Sequence, residues 1–146
     1  MSENNLRNLG VITSRNEFNN IPMEYVAPKN TDVVFVSDFY LEEVSGGAEM
    51  TSEAILMNCP YNVFKIHSQS LTVEFLKKHK NLYFVISNFT MCPSESLGYL
   101  VENDVKFSII EYDYKYCSFR SEVLHKKQTG HDCDCPLRPN GMLIEK

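Results

Sequence analysis

The sequence predicts a Rossmann-type α/β domain, three-layered, with a mainly parallel sheet of four or more strands, and three observations carry that prediction. Four short apolar runs recur between residues 31 and 112, each followed by a stretch with another spacing. The first run is nearly continuous rather than alternating, as in strands buried on both faces of a parallel sheet. A glycine pair, Gly46-Gly47, follows the first run where a strand-to-helix loop is expected.

Residues 1–30 read as an N-terminal extension, polar and Asn-rich, punctuated by Pro22 and Pro28, with a short strand near residues 23–26. The first core strand is Asp32-Val33-Val34-Phe35-Val36-Ser37. After Ser45-Gly46-Gly47, residues 48–58 are helical; Met50, Ala54 and Met57 fall at i, i+4, i+7 and are expected to face the sheet. Pro60 ends that helix, and Asn62-Val63-Phe64-Lys65-Ile66 is the second strand. Ser70 can cap a helix that runs to His79, with Leu71, Phe75 and Leu76 inward. Leu82-Tyr83-Phe84-Val85-Ile86-Ser87 is the third strand. Pro93 or Ser94 opens a helix with Leu97, Leu100 and Val101 at i, i+3, i+4, and residues 106–112 form the fourth strand. Alternation of this kind implies right-handed βαβ crossovers. The core is thus 31–116; residues 117–146 form a Cys/His-containing segment with one short helix near 121–127.

Composition narrows the function classes. Hydrophobic residues are 43% and charged residues 23%, an ordinary globular balance. A net charge of −5 argues against general nucleic-acid binding, which needs clustered cations. The basic cluster Lys77-Lys78-His79-Lys80 reads as a solvated helix end. No stretch approaches the length of a membrane span, and residues 1–8 lack the apolar core of a signal peptide. Five cysteines, an odd number, do not make a disulfide framework, so a reducing cytoplasm is the expected location.

The candidate chemistry lies in two places. Ligands of parallel α/β sheets bind beyond the carboxyl ends of the strands, where Gly46-Gly47 falls. Glycine there allows positive φ and close approach, and the helix start that follows suits a phosphate or a sugar hydroxyl. The same pair is equally a plain tight turn, and neither G-x-G-x-x-G nor G-K-[ST] is present. Glu49 either complements the helix dipole or accepts from ligand hydroxyls. Asp38, His67 and Asn88-Phe89 sit just past strands on the same edge, as pocket linings or as solvated loop residues. Tyr112, Tyr114 and Tyr116 alternate as on one strand face, where packing is the plainer role than sugar stacking. The second place is the tail: Cys117, His131, Cys133 and Cys135, with His125 upstream, offer N/S ligands for a structural zinc. Cys-x-Cys is tighter than the usual zinc spacing, so reduced thiols, or a disulfide from Cys117 to Cys133 or Cys135, stand beside that reading. Cys59 and Cys92 read as buried small hydrophobes.

Ser37-Asp38-Phe39-Tyr40-Leu41-Glu42-Glu43-Val44-Ser45-Gly46-Gly47-Ala48-Glu49 resembles the opening of glycosyltransferase family 4-like N-terminal domains, and Glu111-Tyr112-Asp113-Tyr114-Lys115-Tyr116-Cys117 resembles their H-D-Y-W-x-x-C stretch. The resemblance covers roughly residues 31–135 and extends to phage and bacterial glycosyltransferases. It implies the N-terminal, acceptor-side half of a GT-B hexosyltransferase-type enzyme that uses a nucleotide-sugar and needs no metal for catalysis. On that reading Gly46, Gly47, Glu49, Asn88 and Tyr112 contact substrate and Asp113 stands near the transferring sugar. The donor domain would be the missing C-terminal GT-B half; an isolated half exposes the face meant for it, so a homodimer is expected. Tyr112 stands where the family has histidine, which opens the alternative of a non-catalytic Rossmann-like module that binds a ligand or a protein.

Overall fold

The computed structural model describes residues 26–114 and 116–144. The strand expected at 23–26 and most of the N-terminal extension lie outside them.

Four strands, β1 (Val33–Ser37), β2 (Val63–His67), β3 (Tyr83–Ile86) and β4 (Phe107–Ile109), form one all-parallel sheet in the order β2-β1-β3-β4. Their apolar runs have side chains on both faces, and both faces are covered. Val34, Val36, Phe64, Ile66, Phe84 and Ile86 point to one side, where Leu71, Phe75, Leu76 and Leu100 pack on them. Phe35 points to the other, against Tyr40, Leu56 and Val85. The first side belongs to helices α2 (Val73–Lys78) and α3 (Ser94–Glu102), the second to α1 (Gly47–Met57). Thr72 caps α2, its hydroxyl accepting from the Phe75 amide at 3.1 Å. Lys77 and Lys78 fall in the last turn of α2, where their charge suits the dipole.

This order contains a switch point. From β1 the chain goes to β2 on one side; from β3 it goes to β4 on the other. The loops after β1 and β3 therefore diverge and leave a crevice at the carboxyl ends of these two central strands.

Ser70 does not cap α2, whose cap is Thr72; Ser70 ends a 3-10 turn (Ser68–Ser70) ahead of that helix. Two further expectations are corrected. Met50, Ala54 and Met57 do not face the sheet: Met50 is 61% and Met57 75% exposed, and Ala54 is exposed as well. The buried face of α1 is Glu49, Ser52 and Leu56. Leu56 fills the space against Phe35, while the two polar residues turn toward hydrogen-bond partners just past β3 and beyond β4. The fourth strand is also shorter than 106–112. It ends at Ile109, with one further sheet bond from the Ile110 amide to the Ile86 carbonyl at 2.8 Å, so Tyr112, Tyr114 and Tyr116 are not on a strand.

After β4 come α4 (Glu122–Thr129), a 3-10 turn (Cys135–Leu137) and α5 (Pro139–Ile144). Ser121 caps α4 by accepting from the Leu124 amide at 3.3 Å, and Gly130, at φ 78°, ends it. Among the described residues no helix is long and apolar enough to cross a membrane.

Candidate functional site

The carboxyl edge of the sheet is built around Asp38. This residue follows β1 and is 6% exposed. Its Oδ1 accepts from the Ser68 hydroxyl and from the Met91 amide at 3.1 Å; its Oδ2 accepts from the Thr90 amide at 2.9 Å. Three donors occupy the carboxylate, so Asp38 ties the ends of β1, β2 and β3 together. His67 serves the same frame: its Nδ1 lies 3.2 Å from the Asp38 carbonyl and its Nε2 3.5 Å from Glu43, and its ring packs edge-on to Tyr40. Nearby, Lys65 is 1% exposed, with its ammonium 2.7 Å from Glu42 and 4.6 Å from the Tyr40 ring centroid. The Glu42 carboxyl, although burial opposes its ionisation, is held below the usual range by the Lys65 hydrogen bond. Burial pushes the Cys92 thiol up to about 12, the Asp38 charge adding to it, so Cys92 is inert as a nucleophile.

The glycine turn lies at the edge of the crevice. Gly46 is the N-cap of α1 with φ −108°, so its value is not a left-handed backbone, and neither it nor Gly47 has positive φ. What Gly46 allows is close approach: a Cβ there would collide with the Glu49 carboxylate, which folds back over the turn from the third helical position. A Cβ on Gly47 would meet only open space. Glu49 is 8% exposed, and its Oε1 accepts from the Asn88 side chain at 3.4 Å, across to the loop after β3.

One turn further along α1, the Ser52 hydroxyl lies 3.1 Å from the Ser87 hydroxyl and 2.8 Å from the Tyr112 hydroxyl. Tyr112 is thereby held over α1. Asp113 follows it at the surface, where Arg120 donates to its Oδ1 at 3.2 Å. The same guanidinium donates to the Thr90 hydroxyl at 2.5 Å. Glu49, Tyr112 and Asp113 are thus tied to one edge by three chains of hydrogen bonds, which reach Asn88, Ser87 and Thr90 in turn. Nothing in the sequence pattern marks Arg120, Ser52 or Ser87 as part of this edge. Arg120 has φ 56°, a conformation rare outside glycine, and no composition or spacing signal announces it.

The tail brings together Cys117, His125, Cys133 and Cys135, whose ligand atoms all lie within 4.8 Å of one another. These four can hold a metal ion. The His125 Nδ1 is 3.2 Å from the Cys117 sulfur and 3.6 Å from the Cys135 sulfur, and its ring packs edge-on to Phe119. Here the histidine differs from the one expected. His131 is exposed beyond the left-handed Gly130, its amide donating to the Thr129 hydroxyl at 3.2 Å, whereas His125 points from α4 toward Cys117. Burial raises the Cys117 thiol, yet hydrogen bonds from His125, the Phe119 backbone and the neighbouring thiols outweigh it and bring its pKa to about 7. Burial, then the Cys117 and Cys133 thiols, push Cys135 up to about 11.

No family model, no curated protein and no solved structure matches the chain. Its class is defined by its fold: a Rossmann-like α/β domain with a four-stranded parallel sheet whose order places a switch point between β1 and β3.

Proposed function

We propose that this domain is the acceptor-side half of a GT-B glycosyltransferase. The observation that carries the reading is the meeting of its two motif segments. The Gly-Gly-Ala-Glu turn and the Tyr112-Asp113 pair, over sixty residues apart in sequence, are joined at one sheet edge through Ser52 and the loop after β3. In this reading the acceptor sugar lies against the open side of Gly47, with Glu49 and Asn88 taking its hydroxyls. Asp113, oriented by Arg120, accepts a proton or hydrogen bond from the acceptor hydroxyl near the transferring sugar. A nucleotide-sugar would be held by a second Rossmann domain, so the residues described here supply the acceptor side only.

A non-catalytic binding module is the second reading, favoured by Tyr112. It stands in place of the family's histidine, and its hydroxyl is engaged with Ser52 rather than with the crevice. The Cys/His cluster has a separate place in either case. It holds a structural zinc, since four protein ligands fill the tetrahedron and leave no open position for chemistry.

Nuclear magnetic resonance titration with glucose, galactose, N-acetylglucosamine and UDP-glucose tests the sugar reading. Simple sugars should shift the amides of residues 46–49, 88–90 and 112–113 with millimolar affinity, and UDP should add little. Glu49→Ala and Asp113→Asn should each weaken that binding roughly tenfold, the loss of one charge-assisted hydrogen bond. The absence of any shift at these amides at tens of millimolar sugar rejects the acceptor reading and leaves the binding module.

A further inference from the structure

We infer that zinc held by Cys117, His125, Cys133 and Cys135 is the core of residues 117–144 and the clasp that sets Arg120 at the crevice edge. The inference rests on the zinc reading above and is independent of the sugar reading.

Burial comes first. Among the described side chains of this segment, the buried ones are Cys117, 1% exposed, and His125, 7% exposed. Val123, Leu124, Leu137 and Met142 are all exposed. Segments below about 40 residues rarely hold together without a disulfide, a metal or a partner. Here the place of an apolar core is taken by the ligand set itself.

Geometry comes second. Tetrahedral zinc, with sulfur at about 2.3 Å and nitrogen at about 2.0 Å, sets neighbouring ligand atoms about 3.5–3.8 Å apart. The His125 Nδ1 contacts of 3.2 and 3.6 Å straddle the lower end of that range, and no pair in the set exceeds 4.8 Å. Small side-chain adjustments therefore complete the tetrahedron. On binding, each thiol gives up its proton to solvent as its sulfur bonds the metal, and the imidazole binds neutral through Nδ1.

Connectivity comes third. Cys117 and Arg120 are the two ends of one tight turn, with the Arg120 amide donating to the Cys117 carbonyl at 2.9 Å. Arg120 holds its positive φ of 56°, a conformation that persists only where the surroundings over-determine it. The metal would fix the turn from the Cys117 end; Asp113 and Thr90 fix it from the guanidinium end. The zinc thus positions a side chain that orients Asp113, without touching the crevice.

The test uses the full chain, expressed with zinc and purified under reductant. Elemental mass spectrometry should find about one zinc per chain, and cobalt(II) added to the stripped chain should give the intense visible bands of a tetrahedral thiolate site. His125→Ala or Cys135→Ser should weaken metal binding about a hundredfold or more, while His131→Ala retains it. Hydrogen exchange after stripping should rise across residues 113–129 and stay unchanged in β1 and β3, which also shows that the domain remains folded. Below a tenth of an equivalent of zinc with no cobalt bands, or a mass showing a Cys117 disulfide under these conditions, the zinc reading fails and the inference with it. Zinc bound, but exchange at 113–121 indifferent to its removal, leaves the zinc reading standing and overturns the clasp.

Discussion

Gly46 and Glu49 form a matched pair. The glycine is required by a carboxylate three residues on, not by its own backbone angle. Gly46→Ala should therefore cost about 1 kcal/mol in the wild-type background, because the Glu49 side chain must swing away from the turn and from Asn88. In a Glu49→Ala background the same change should cost less, about half a kcal/mol, the preference for glycine over alanine at an N-cap. A double-mutant cycle by urea denaturation measures the difference, and additive effects would show that the two residues do not interact. From the sequence, the position of this pair after β1 was readable, but its reason was not. Positive φ is the usual ground for a glycine in such a loop, and the folded-back carboxylate appears only in three dimensions.

At the scale of elements, the strands were readable because Val33-Val34-Phe35-Val36 and Tyr83-Phe84-Val85-Ile86 are β-branched and aromatic runs, with Val34, Phe35, Val36, Phe84 and Ile86 buried in the sheet. The face of α1 was not. Its methionines gave an apolar stripe, yet Ser52 and Glu49 gain hydrogen-bond partners by turning inward, and no periodicity reports a partner thirty-five residues away. The end of α2 shows the same limit in His79. Within a basic run that reads as solvated, His79 is 9% exposed, its Nε2 accepts from the Ala27 amide at 3.2 Å and its ring lies 4.5 Å from Phe75. Burial, then the neighbouring Lys78 charge, lowers its pKa in the folded chain. Below about 6.5 the unfolded chain takes up a proton that the folded chain declines. The stabilisation is complete above that value and is lost as pH falls toward the lowered native one. Urea midpoints should drop between pH 7.5 and 5.5, and His79→Gln, which can still accept from Ala27, should flatten that slope while costing about 1 kcal/mol at pH 7.5. An unchanged slope in the variant would assign the pH dependence to other groups.

Across the whole molecule, one carboxylate carries more of the architecture than any motif suggested. Asp38 is a loop aspartate at a strand end, a position that from the sequence fits a ligand contact as well as a structural role. Its donors come from residues thirty and more positions away, the Ser68 hydroxyl after β2 and the Thr90 and Met91 amides after β3. It therefore fastens the divergent loops of the switch point, including the Thr90 that receives Arg120. Asp38→Asn keeps the size but replaces one acceptor oxygen by an NH2 group, which faces a donor on either side. The expected loss is about 2–3 kcal/mol, since a buried amide or hydroxyl is left without an acceptor. It should show as a lower urea midpoint with an unchanged slope, because the sheet and its buried surface stay as they are. Hydrogen exchange should rise at residues 68 and 90–91 and spread to 120, while Glu49 keeps its place over Gly46. A loss under 1 kcal/mol, or exchange confined to residue 68, would mean that the three loops hold their positions independently and that the edge is not fastened at one point.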